Sequence, residues 1–116
     1  MSTALELRSK ISKGGELEIS LAKVAIPEPG PDQVVVKVEA TPINPSDLGL
    51  LIGPADMTKA TASGSGADIV VKATISQQAL PFLAARLDQS MPVGNEGAGV
   101  VVKAGESEAA QALLGK

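Results

Sequence analysis

Apolar residues recur at every second position through much of this chain, and a period of two describes an extended strand with one buried face, not a helix. Leu5 and Leu7 alternate with Glu6 and Arg8, and Leu17, Ile19 and Leu21 alternate with Glu16, Glu18 and Ser20. Lys13-Gly14-Gly15 lies between these runs and supplies turn residues, so the spacing predicts a β-hairpin with one wet face. The segment Pro27-Glu28-Pro29-Gly30-Pro31-Asp32 follows. Its prolines lack the amide donor that a sheet interior needs, which makes it a rigid surface connection. Val34, Val36, Val38 and Ala40 then share one face of a third strand, with Val35, Lys37 and Glu39 on the other. Three successive strands suggest a meander. Two more strands are expected where Ile69, Val71, Ala73 and Ile75 alternate with Asp68, Val70, Lys72 and Thr74, and at Ala98, Val100, Val102 and Ala104.

Between and after these runs the pattern changes. Prolines 42 and 45 break the alternation, Ser46 stands where a helix cap would, and a short helical turn from Asp47 is expected. From Met57 to Ala67 the composition shifts to Thr, Ala, Ser and Gly, which predicts a mobile loop. Leu80, Leu83, Ala84 and Leu87 fall on one helical face, with Pro81 in the first turn. Ser107 is expected to cap a short helix ending near Leu114, with Gly115 in the stop position. The fold class read from this order is mainly β with short helices.

Composition removes many activities. The 116 residues contain no Cys, His, Trp or Tyr, and Phe82 is the single aromatic. Disulfides, thiol nucleophiles, Cys/His zinc sites and Ser-His-Asp triads cannot be built from these residues. A formal charge of −3 and one aromatic ring argue against nucleic-acid binding. No run approaches the length of a membrane span, the longest near-apolar stretch being 48–55, and the N-terminus lacks the pattern of a signal peptide. A soluble, cytoplasmic chain is therefore expected.

Two clusters carry candidate chemistry. Asn44-Pro45-Ser46-Asp47 follows the third strand as a dense group of turn and capping residues. On composition alone it reads as structural, because Asn and Asp side chains satisfy nearby amides and Pro fixes the turn. The second, Gly94-Asn95-Glu96-Gly97-Ala98-Gly99-Val100-Val101, sets three glycines beside a carboxylate. The glycine spacing differs from a dinucleotide fingerprint, and these glycines enter a strand instead of opening a helix. A bulged strand is the plain reading. Asp56, Asp68 and Asp88 have no metal-site spacing.

In order, these pieces resemble the start of a medium-chain dehydrogenase/reductase of the zinc-independent quinone oxidoreductase branch. The landmarks are the opening strand pair, Pro27-Glu28-Pro29-Gly30-Pro31, Val34-Val35-Val36-Lys37-Val38-Glu39-Ala40, Asn44-Pro45-Ser46-Asp47-Leu48, and Pro92-Val93-Gly94-Asn95-Glu96-Gly97-Ala98-Gly99-Val100-Val101. The resemblance implies a GroES-like, partly open β-barrel that precedes a Rossmann domain. It also implies hydride transfer from NADPH, or NADH, to a quinone. Asn44, Asp47, Leu50 and Asn95 would line the cleft, and Pro45, Ser46, Glu96 and Gly97 would support them from behind. Zinc-containing members carry Cys and His at the positions of Asn44 and Asn95, so no zinc is expected here.

Residues 50–52, Leu-Leu-Ile, stand where several relatives place a Tyr proton donor, and an enone or enoyl acceptor would suit this apolar stretch as well as a quinone. Residues 54–90 are longer than the resemblance expects and read as an insert. No strand-G-x-G-x-x-G-helix unit occurs, so the expectation is a front portion, incomplete at its C-terminus, that is inactive alone and leaves cofactor binding to a domain outside this chain. A non-catalytic GroES-like interaction module is the alternative from another class, and a homo-oligomer stays open under either reading.

Overall fold

The computed structural model describes residues 2–116. The chain is mainly β, with strands β1 Thr3–Ile11, β2 Glu16–Ala25, β3 Val34–Ala40, β4 Asp56–Ser63, β5 Val70–Thr74, β6 Met91–Pro92 and β7 Ala98–Ala104, and helices α1 Pro45–Leu51 and α2 Glu108–Gln111. Three-residue-per-turn helices occupy Gly66–Asp68 and Leu80–Arg86. The strands form a five-stranded sheet in the order β4-β5-β2-β1-β6 and a separate β3-β7 ribbon, neither closed into a barrel. Among the described residues no helix is long and apolar enough to cross a membrane. The residues divide into two compact units.

The larger unit comprises Thr3–Val24 and Ile43–Gly94. Its hairpin follows the sequence expectation, with the turn closed by the Ser12 amide on the Glu16 carbonyl at 2.9 Å and the Gly15 amide on the Ser12 carbonyl at 3.0 Å. The odd-numbered face of β1 and β2 points inward only near the turn, where Ser9, Ile11 and Leu17 are fully buried; Leu7 is exposed, and Glu6 and Arg8 on the other face are half-buried. Ala73 and Ile75 on the β5 run and Leu80 complete the core, with Ile52, Met57, Ala60, Leu83 and Leu87 packed around it. Residues 54–90, read from the sequence as an insert, thus supply a large part of this unit's core. Leu5, at the far end of β1, is 52% exposed, so alternation alone did not fix the depth of burial.

Three expectations are corrected here. The segment 57–67 is not a mobile loop, because 57–63 belongs to β4, which pairs antiparallel with β5 through Thr61 to Lys72, Ala62 to Val71 and Ser63 to Val70. An edge strand needs only one buried row, and Met57 and Ala60 provide it. The meander fails because β1 and β5 occupy both edges of β2, so β3 has no edge of β2 to join. The 80–87 helix winds with the tighter three-residue turn, which brings Leu80, Leu83 and Arg86 into line and leaves Ala84 exposed.

The smaller unit contains residue 2, Ala25–Pro42 and Asn95–Lys116. Here β3 and β7 run antiparallel, Val36 opposite Val101 and Ala40 opposite Ala98, with register shifts after Val35 and Val38. The bulge expected in the glycine cluster lies elsewhere: the shift beside Gly99 puts its extra residue, Glu39, on β3, and the extra residue of β7 is Val102, beyond the cluster. The even face of β3 is not buried as expected: Val36 and Val38 are 44% and 56% exposed. Ser107 caps α2 as predicted, its hydroxyl accepting the Ala110 amide at 3.1 Å. The helix is shorter than expected and ends at Gln111. Gly115, at φ +80°, donates to the Val101 carbonyl at 2.9 Å while Val101 donates to the Lys116 carbonyl at 3.0 Å. The last two residues therefore lie against β7.

Candidate functional site

The residues singled out by sequence fall into both units. Asn44, Pro45, Ser46, Asp47 and Leu50 belong to the larger, and Asn95, Glu96 and Gly97 to the smaller.

Asn44 has extended backbone, φ −88° and ψ 153°, and Pro45 is the first helical residue, so the N-cap of α1 is Asn44 and not Ser46. Pro fixes a helical φ and lacks the amide that would otherwise be orphaned there, which moves the cap to the preceding residue. The carboxylate of Asp47 accepts the Asn44 amide at 2.8 Å, and the Asp47 amide donates to the Asn44 carbonyl at 2.9 Å. Asp47 is 8% exposed. It serves as the reach-back arm of a capping box at the end of the helix that favours negative charge. Asp47→Ala is expected to lower stability by about 1 kcal/mol, and Asp47→Asn by less because an acceptor remains. Urea denaturation of the two variants checks this.

The other end of α1 shows two residues that the sequence reading did not single out. Ser9 is fully buried on β1, and its hydroxyl donates to the Leu51 carbonyl at 2.9 Å. Arg86 donates from Nη2 to the Leu50 carbonyl at 2.8 Å and to Ser9 Oγ at 3.3 Å, with a longer contact from Nη1 to the Gly49 carbonyl at 3.4 Å. No ion pair involves Arg86 among the described residues, and its Nε is buried without a hydrogen-bond partner. Burial disfavours the guanidinium charge and lowers its pKa from the ordinary value. Ser9 carried a legible signal, a hydroxyl in phase with Leu7 and Ile11 on an apolar face. Arg86 carried one only for a reader who had chosen a three-residue turn over an α-helix.

In the smaller unit Asn95, Glu96 and Gly97 are exposed in the segment leading into β7. A Cβ on Gly97 would stand 3.3 Å from Val38 Cγ1 and 3.4 Å from Thr41 Cγ2, so this glycine sits beside the end of β3. The pairing of Ala40 with Ala98 brings Thr41 and Pro42, leaving β3, to the same end of the ribbon as 95–97, entering β7. A groove of about 430 Å³ in this unit is lined by Ser2, Ile26, Glu28, Val35, Val102 and Lys103. Glu28 and Lys103 pair across it at 2.6 Å. It contains none of the sequence-predicted residues.

Among the described residues no three acidic side chains gather into a metal-binding group. Asp56 at the start of β4 is spoken for by Thr58, whose hydroxyl and amide both donate to its carboxylate and hold its pKa below the usual carboxylate value. A dinucleotide cradle needs a helix opening from a parallel βαβ unit. The ladders joining β1 to β6, β2 to β5, β3 to β7 and β4 to β5 are antiparallel, and the two α-helices have seven and four residues. No family model and no curated protein matches this chain.

Proposed function

We propose that this chain is the acceptor-side part of a zinc-independent, NAD(P)H-dependent oxidoreductase with a GroES-like fold, and that its acceptor is a quinone. The observation that supports it best is the pairing of the Val34–Ala40 strand with the Ala98–Ala104 strand. These are two of the landmark segments that carry the family resemblance, they lie far apart in sequence, and their ladder gathers Thr41 and Pro42 and the segment containing Asn95 at one end of the smaller unit. The mainly β architecture with short helices agrees with the same reading. The chain's own contribution is confined to the acceptor. In the larger unit the amide side chain of Asn44 would offer a hydrogen bond to a quinone carbonyl oxygen and Leu50 apolar contact to the ring; in the smaller unit the exposed Asn95 offers the same amide chemistry. When present, the dinucleotide supplies the hydride, and it is held by residues outside this chain.

The test is a titration of the isotope-labelled chain with menadione, followed by amide chemical shifts, with naphthalene as an apolar control lacking carbonyls. Saturable shifts confined to residues 41–51 and 94–99, and absent with naphthalene, are expected. Shifts that are scattered, or equal for both compounds, sink the proposal.

A further inference from the structure

The Ile52 amide closes on the Leu48 carbonyl at 3.0 Å, but among the described residues the three carbonyls after it in α1 receive no backbone amide. In an α-helix the Leu50 carbonyl would accept the amide of residue 54, but that residue is Pro54 and has no N–H. The Gly53 amide, which would serve Gly49, donates instead to the Leu48 carbonyl at 3.2 Å, and the Ala55 amide, which would serve Leu51, donates to Ile52 at 3.1 Å. Three successive carbonyls are thus left to side chains. Ser9 takes Leu51, and Arg86 takes Leu50 closely and Gly49 loosely. A cation at this end also suits the negative pole of the helix. No carboxylate draws the guanidinium away among the described residues.

We infer that Arg86 is a positioning residue: by supplying the donor that Pro54 withholds, it holds the end of α1 closed and keeps Leu50, with Asp47 on the same short helix and Asn44 at its N-cap, in the arrangement that receives the acceptor. The second half of this inference rests on the proposed quinone reading; the first does not. Lysine carries the charge but not the fork, so it reaches one carbonyl where arginine reaches two.

The experiment compares the full chain with Arg86→Met and Arg86→Lys by amide hydrogen exchange and by menadione titration. In Arg86→Met the Ile52 and Gly53 amides are expected to exchange at least about tenfold faster relative to those of the β2–β5 ladder, with menadione affinity at least about fivefold weaker. Arg86→Lys should fall between it and the wild type, and it decides the question if Arg86→Met does not fold. Exchange at Ile52 and Gly53 that only keeps pace with the β2–β5 ladder overturns the closing role. A loosened turn with unchanged menadione affinity overturns the positioning role. If the wild type shows no menadione shifts at all, the quinone reading and the acceptor half of the inference fall together, while the exchange data still decide whether Arg86 closes α1.

Discussion

Gly99→Ala is expected to disrupt the β3-β7 ribbon, at a cost of about 3 kcal/mol or more. The reason is backbone against backbone. A Cβ at position 99 would lie 1.9 Å from the Lys37 carbonyl oxygen and 2.7 Å from its carbon, inside the distance at which any atoms can remain, and no flexible side chain is there to swing aside. Relief requires β3 and β7 to separate, which breaks the ladder on both sides of the Val38 to Gly99 pair. Gly97→Ala, two residues earlier on the same glycine-rich segment, meets methyl groups of Val38 and Thr41 at 3.3 and 3.4 Å and the Ala40 carbonyl oxygen at an ordinary 3.7 Å, and is expected to cost less than about 1 kcal/mol. Urea titration combined with exchange at the β3 and β7 amides distinguishes the two. A Gly99→Ala chain within 1 kcal/mol of wild type would show that the strands do not approach as described. The glycines of this cluster are therefore unequal, and the one that matters most for the ribbon is not beside the candidate acceptor residues.

That inequality marks the limit of what the sequence made legible. Local periodicity placed β1, β2, β5 and β7 correctly, because alternation is a property of neighbouring residues and survives any choice of partner. Pairing is different. Whether β3 joins β2 depends on whether an edge of β2 is free, and that is decided by β5, some thirty residues beyond β3. The strand at β4 was hidden by its Thr, Ala and Ser residues, which resemble a disordered segment until a neighbouring edge is available to pair with. At the candidate site, the cluster at 44–47 announced both a cap and a cleft, since the same Asn and Asp chemistry serves either. The structure accounts fully for the Asp47 carboxylate as an acceptor for the Asn44 amide, while leaving Asn95 exposed. From its neighbours in sequence Arg86 is legible only as a residue in line with Leu80 and Leu83, not as a partner of α1. Its role follows from a proline thirty-two residues earlier that removes a donor, and only the fold brings the two needs together.

Leu17→Ala carries the other large expected effect, a loss of about 2–5 kcal/mol. Leu17 is fully buried, lies directly across from Ala73 on β5, and shares its core with Ile11, Ile75 and Leu80. Truncation removes apolar area and also leaves a cavity, and the opposite residue is an alanine that cannot reach into it. Against a total stability of about 5–15 kcal/mol for a domain of ordinary size, this is a large fraction. Leu5→Ala is the matched control, because the same side chain on the same face of the same hairpin is 52% exposed and its loss should cost less than about 1 kcal/mol. In urea the midpoint for Leu17→Ala should fall sharply with the slope unchanged, while Leu5→Ala stays near wild type. Equal losses at the two positions would mean that the hairpin is buried along its whole length and that the core does not lie where β2 meets β5. Because Leu17 contacts the core and not α1's carbonyls, the folded fraction of Leu17→Ala should still show wild-type menadione shifts, which separates loss of stability from loss of the acceptor surface that Arg86 is inferred to hold.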